Sequence, residues 1–248
     1  MATPAHMPLS PKAWLAQQPL QKHERLYLVI SAASDADALR NLRMSDRTHT
    51  LMPIWSDTPY ATWHPVMPYI TELQSNSTFL SWIAETEALE WGWLAVSRCE
   101  PNEVLGHLRS LTQVKMPSGG NVFFRFWDGR HIHPILEGLG DAAGNMLPVF
   151  ERYLINGKCL EVSPRRIPTV RDWPWWEVPK DLLDSLAKQD PSTMIGSLMQ
   201  WLEEERLDIY TAWPESNLKL KVARFISRAN ASDNLHEALL NELMLEQG

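Results

Sequence analysis

The chain has 248 residues, 44% of them hydrophobic and 21% charged, with a formal charge of −7. At ~150 residues per typical domain, that length allows one or two domains around a sizeable core. The composition excludes a disordered or collagen-like chain, the acidic balance argues against a nucleic-acid binder, and no run approaches the ~18 apolar residues of a membrane helix.

The opening MATPAHMPLSPKAWLAQQ has neither the basic nor the apolar region of a secretory signal, so the expected compartment is the cytoplasm. Cys99 and Cys159 are too few and too far apart for a disulfide framework or a metal motif. Charge is uneven along the chain. Residues 1–176 sum to −1 and residues 177–248 to −6. Twelve tryptophans make up more than half of the aromatic residues. Most are expected in the core, yet Trp is also the residue most enriched at binding hot spots.

Leu26–Ile30 is apolar at every position, as expected of a central strand covered on both faces. Ser34 reads as the N-cap of a helix with acidic residues in its first turn and Arg40 and Arg43 in its last. Residues 52–68 carry four prolines among Trp55, Tyr60 and Trp63, which predicts an irregular, aromatic-rich surface segment. A strand over Val66–Leu73 and a helix from Ser77 to about Glu87 follow. Trp91–Ser97 is a strand, and Pro101 opens a helix with Val104, Leu105, Leu108 and Leu111 at helical spacing. Gln113–Met116, the turn at residues 117–120, and Val122–Trp127 read as a hairpin. Asn145–Asn156 is expected to be helical, stopped by Gly157, and Lys158–Val162 is a last strand. Residues 163–179 hold four prolines and three tryptophans, which no regular helix accommodates. Helices follow: one led by Asp190-Pro191, one burying Leu218, Val222, Phe225 and Ile226, and one capped near Ser232 with Leu235, Leu239 and Leu243.

Phosphate-binding, nucleophile-elbow and metalloprotease motifs are all absent. Residues 138–143 match G-x-G-x-x-A, with Glu161 about 20 positions on. That pattern binds a dinucleotide only if a buried strand runs into it. Here HIHPILE precedes it, so a Gly-rich interhelix turn is the expected reading. His131 and His133 share a face on a strand but point apart on a helix, and the Pro134 that follows reads as a helix start. In the strand reading, Asp128 and Glu137 could complete a metal site. Residues 128–144 therefore define the alternative function, a small metal-dependent or nucleotide-binding enzyme.

The sharpest local signal is residues 122–128. As a strand, Val122, Phe124 and Phe126 face one way and Phe123, Arg125 and Trp127 the other. Both faces are apolar, which predicts an internal strand with Arg125 emerging between two rings. Its donors need an acceptor, supplied either by an internal carboxylate or by a partner protein.

From Leu26 to Leu154, about half of the chain, the succession LY-strand, PYI-x-EL, FLSW, WGWL, HLRSL and FRFWDGR resembles a known bacterial family. It is similar to the effector chaperone, or adaptor, of the type VI secretion system, the domain of unknown function of class 4123. Matching positions are Trp91, Gly92, His107, Leu108, Arg109, Phe124, Arg125, Phe126, Asp128 and Arg130. Ser31, Trp127 and Gly129 depart from the usual Asp, Tyr and Pro.

The resemblance implies a cytoplasmic protein that binds a toxin effector and helps load it onto the valine-glycine-repeat spike. The expected fold is mixed α/β: a lobe over residues 1–162 with its sheet covered by helices, a Pro/Trp-rich linker over 163–179, and a small helical client-specificity lobe over 180–248. The expected function is binding alone, with no catalysis, no cofactor, no metal, no nucleic acid and no membrane insertion. Expected partner-binding residues are Trp173, Trp175 and Trp176, lining a groove, with Phe123, Arg125, Trp127, Asp128 and Arg130. A basic stripe at Lys221, Arg224 and Arg228 is a weaker docking expectation.

Overall fold

A computed structural model describes residues 8–45, 50–163, 171–189, 191–228 and 235–245. It divides the chain into two units, Met1–Val178 and Pro179–Gly248. The fold is mixed α/β, with an antiparallel sheet in the first unit and helices in the second.

In chain order the first unit begins with α1 (Pro11–Gln17), β1 (Arg25–Ser31), α2 (Ala38–Ser45), the two-residue β2 (Met52–Pro53), β3 (Pro68–Leu73) and α3 (Phe79–Glu85). It continues with β4 (Gly92–Ser97), α4 (Pro101–Ser110), β5 (Gln113–Lys115), β6 (Asn121–Phe123) and α5 (Gly129–Leu139). The short α6 (Ala143–Met146) leads to β7 (Arg152–Ile155) and β8 (Lys158–Glu161). Six strands form one sheet in the order β2-β3-β1-β4-β7-β8, and β5 and β6 form a separate ribbon.

Leu26–Ile30 lies mid-sheet, buried throughout, with Val29 opposite Ile70 on β3 and Trp93 on β4. Alternation then sorts the core. Leu26, Leu28 and Ile30 join Leu94, Val96 and Leu154 beneath Trp14 and Leu42 and the α3 residues Phe79 and Leu80. Tyr27, Val29, Trp93 and Tyr153 face the other way. There Phe150 meets Tyr27, Trp93 and Tyr153 at ring centroids 5.4–6.1 Å apart. Each fully buried side chain of this size contributes about 1.5–3 kcal/mol, so the two faces carry most of the unit's stability.

Several sequence expectations are corrected. Residues 145–156 are not a helix: α6 ends at Met146, and β7 and β8 form a hairpin. Asn156 and Gly157 sit at its turn with φ of 51° and 73°, the left-handed pair that a two-residue hairpin loop requires. The helix expected from Ser34 begins only at Ala38. Ser34 Oγ instead accepts from Ala36 N–H at 3.2 Å, and Asp37 has a φ of 50°, outside any helix. A short 3₁₀ turn occupies residues 64–66, so the next strand starts at Pro68. The helix expected over 77–87 spans Phe79–Glu85. The β6 strand stops at Phe123 and is not internal to the sheet, because Phe124 onward bends toward α5. Pro134 lies inside α5 and does not start it.

The second unit contains α7 (Lys180–Gln189), α8 (Ser192–Glu205), α9 (Leu207–Tyr210), α10 (Glu215–Ile226) and α11 (Leu235–Leu245). Ile195, Leu198 and Leu202 of α8 pack with Leu218, Val222, Phe225 and Ile226 of α10 and Leu239 and Leu243 of α11. These are the apolar positions that the helical spacing singles out. Asp190 and Ser232 lie outside the described residues, as do residues 164–170 of the expected linker.

Candidate functional site

Two groups of aromatic side chains and one buried carboxylate form the candidate site in the first unit. The first group is built from the Pro-rich segment after β2. Prolines prevent regular pairing there, and the chain turns on local bonds: Thr58 Oγ1 donates to Trp55 C=O at 2.8 Å, and Ser56 Oγ donates to Pro53 C=O at 2.9 Å. Arg109 on α4 fixes the loop from below, Nε donating to Ile54 C=O at 2.8 Å and Nη2 to Ser56 Oγ at 2.7 Å.

The loop is thereby folded around Trp55, which is 2% exposed. Its ring meets Tyr60, Trp63, Phe123 and Trp127 edge-on at centroid distances of 5.3–6.2 Å. Such edge-to-face pairs contribute about 0.5–1.5 kcal/mol beyond area burial. The cluster opens outward, with Trp63 44% and Phe123 39% exposed and their centroids 5.5 Å apart. Sequence reasoning found Phe123 and Trp127 but not their partners Trp55, Tyr60 and Trp63. The signal was present in the density of Pro and aromatic residues over 52–68, without anything to show which part of the chain it would meet.

Asp128 follows Trp127 directly and is almost fully buried. It caps α5: Oδ1 accepts from Arg130 N–H at 3.0 Å and Nε at 3.1 Å, while Oδ2 accepts from Arg130 Nη2 at 2.8 Å and Arg125 Nη2 at 3.2 Å. The acceptor awaited by Arg125 is therefore an internal carboxylate. The bonds it donates to Asp128 raise the Arg130 pKa, and the Arg125 and Arg130 side chains are both about half-exposed. Gly129 explains the departure from proline at that position. A Cβ there would come within 2.8 Å of Leu89 C=O and 3.0 Å of Gly92 C=O, so α5 starts tight against the backbone leading into β4.

The second aromatic group is the strap 171–178. Lys115 N–H donates to Trp176 C=O and Val178 N–H to Lys115 C=O, both at 2.9 Å, adding a short parallel pairing to β5. Trp176 packs on Phe124 at 5.6 Å. Trp175 donates from Nε1 to Ser110 Oγ at 3.0 Å, lies against His107, and carries the Arg171 guanidinium 4.7 Å from its ring centroid. Trp173 is half-buried. The expected partner residues thus fall into two places: Phe123, Arg125, Trp127, Asp128 and Arg130 around the open cluster, and the three tryptophans on the strap.

His107 is buried, bonded through Nε2 to Met146 C=O at 2.8 Å, and burial lowers its pKa. His131 and His133 sit on α5 facing different neighbours, Asp128 at 3.7 Å and Glu137 at 3.9 Å. The helix separates them, as the sequence argument requires. Among the described residues no three His, Cys, Asp or Glu side chains are grouped to hold a metal ion. Gly138 and Gly140 end α5, with Gly140 at a φ of 51°, and no strand leads into them. The dinucleotide-like pattern is a helix stop.

A polar cavity of about 820 Å³ lies elsewhere, between Gln18, Glu24, Arg98, Glu151, Arg152 and Glu161. Its charges are mutually engaged, with Arg152 2.8 Å from Glu24 and Arg98 3.4 Å from Glu24 and 3.6 Å from Glu151.

Residues 26–143 match the family model described as "Domain of unknown function (DUF4123)". The matched stretch is just under half of the chain and runs from β1 into the start of α6, so it contains the open cluster and Asp128 but not the strap. Neither a curated protein nor a solved structure matches the chain. No helix among the described residues is long and apolar enough to cross a membrane.

Proposed function

We propose that this protein is a type VI secretion adaptor that binds a toxin effector and helps load it onto the spike by binding alone. The observation that carries the reading is the DUF4123 match over residues 26–143, the class whose adaptors the motif succession of the sequence resembles. Its most specific run, FRFWDGR, encloses Asp128, the cap of α5 and the partner of two arginines.

Geometry supports an adhesive rather than a catalytic role. A loading protein must hold its client over a standard interface of ~1,600 Å² and still release it. Exposed aromatic rings beside half-exposed arginines supply the residue types enriched at such interfaces. On the strap, half-buried Trp173 extends the proposed client surface, and the helical unit is proposed as the part tuned to one effector. The proposed compartment is the cytoplasm, where loading precedes secretion.

The test is purification of the tagged full chain from its native bacterium while the secretion genes are expressed, followed by mass spectrometry. A stoichiometric toxin, with or without its spike protein, is the expected result. A partnerless protein under those conditions would overturn the reading.

A further inference from the structure

The three-residue strand β6 is exposed along its whole length. One side pairs with β5, whose far edge is closed by the strap through Lys115. Thr112 C=O accepts from Phe124 N–H at 3.1 Å and Gly120 C=O from Met116 N–H at 2.7 Å, which sets the parity of the ladder. With Val122 opposite Val114, the Val122 N–H and C=O turn toward β5, and those of Asn121 and Phe123 turn outward. Among the described residues none bonds to those outward groups.

An open edge is normally protected by charged side chains, as at the outer strand β8 with Lys158 and Glu161. β6 instead displays Val122 at 42% and Phe123 at 39% exposure, continuous with Trp63. Arg125 lies two residues beyond. It places one N–H on Asp128, whose oxygens Arg130 already engages three times, and among the described residues its other donors make no hydrogen bond. Arg125, with its side chain about half-exposed, is thus a cation near the end of this edge. The edge therefore offers backbone donors and acceptors, an aromatic seat, and one positive group at its end.

We infer that the outer edge of β6 takes an extended peptide segment of a partner protein as an added strand, with an apolar side chain on Phe123 and Trp63 and a carboxylate on Arg125. Main-chain bonds would supply affinity, and the ring seat and the guanidinium would supply specificity. The inference deepens the adaptor reading by giving the client's contact segment, but its test does not require the client.

The probes are the capped hexapeptide Thr-Phe-Thr-Val-Thr-Glu and its Gln-terminated twin, titrated into the isotope-labelled full chain and followed by NMR. Saturable shifts are expected at the Asn121 and Phe123 amides and the Trp63 indole, with the Glu peptide binding about tenfold tighter. In Arg125→Gln the two peptides should bind alike. That variant keeps its fold, because Arg130 still holds Asp128. N-methylation of the peptide amides that face β6 should abolish binding. Shifts elsewhere, no binding, or equal affinities for the wild-type chain would each overturn the inference. Effector capture in the native bacterium without peptide binding at this edge rejects strand addition and leaves the adaptor reading standing. Peptide binding without effector capture does the reverse.

Discussion

The strap and the open cluster use the same residue type to opposite ends. On the strap, Trp175 spends its indole N–H on Ser110 and the main chain at Trp176 and Val178 pairs with Lys115, so this segment is tied to α4 and closes an edge of β5. In the cluster, Trp55 is buried with no partner for its Nε1 among the described residues, and its neighbours Trp63 and Phe123 stay partly in water. Indole rings whose polar atoms are spent inside the fold serve stability. Rings left half-wet beside an unpaired strand edge are the surface proposed for another protein.

If that contrast is right, the largest loss of stability comes from the root of the open cluster, not from its rim. Trp55→Ala removes a fully buried ring and should cost about 3–5 kcal/mol in urea unfolding. Trp55→Phe should cost far less, because it keeps an aromatic ring and removes the unpartnered N–H. Equal losses in the two variants would mean that the indole N–H matters and the contrast is drawn wrongly.

The next largest effect is expected at Asp128. Replacement by Ala deletes the α5 cap and its charge-assisted bonds to Arg125 and Arg130, for about 2–3 kcal/mol. Because the guanidiniums are half-exposed, water re-solvates them and the cost stays below that of a fully buried broken pair. A loss under 1 kcal/mol, on the order of a cap alone, would show that the arginine bonds contribute nothing.

On the strap, Trp175→Phe keeps most of the ring and drops the bond to Ser110, which predicts a loss of about 1 kcal/mol. The His107 ring beside it adds a pH dependence. Its folded pKa lies below the ordinary 6.5, so the unfolded chain takes up the proton first. Stability is complete above pH 6.5 and falls as pH drops through the interval between the unfolded and folded values, by at most about 1.4 kcal/mol per pH unit. Urea midpoints at pH 7.5 and 5.5 should differ in that direction, and His107→Gln should flatten the difference. His133 shifts the same way through burial and Lys158 but, being partly hydrated, contributes less.

The elements whose signal is local were legible in the sequence. The all-apolar Leu26–Ile30 run, the Pro101 helix and the α10 stripe carry their own periodicity and sit where it puts them. Residues 145–156 mislead because their apolar spacing suits a helix, while Gly157, the second residue of the decisive Asn156-Gly157 turn, reads equally well as a helix stop. The site was legible only in part for a different reason. Arg125 and Asp128 are three residues apart, so their pairing is within reach of sequence reasoning. Trp55 and Trp127 are joined only after β3, β4 and α4 have brought distant segments together, and no local pattern encodes that meeting.

The smallest stability effect is the most informative about function. Trp63→Ala trims a ring that already stands 44% in water, and its loss should stay below about 1 kcal/mol. Residues chosen by a fold for its own sake do not behave so. A large aromatic side chain left half-exposed gains little from burial and adds apolar surface that favours unwanted association. If Trp63→Ala unfolds with a midpoint close to that of the parent yet loses effector capture, the ring is there for the partner. If it destabilises as much as Trp175→Phe or more and captures normally, then the open cluster is an imperfectly covered core and the contrast between the two regions disappears.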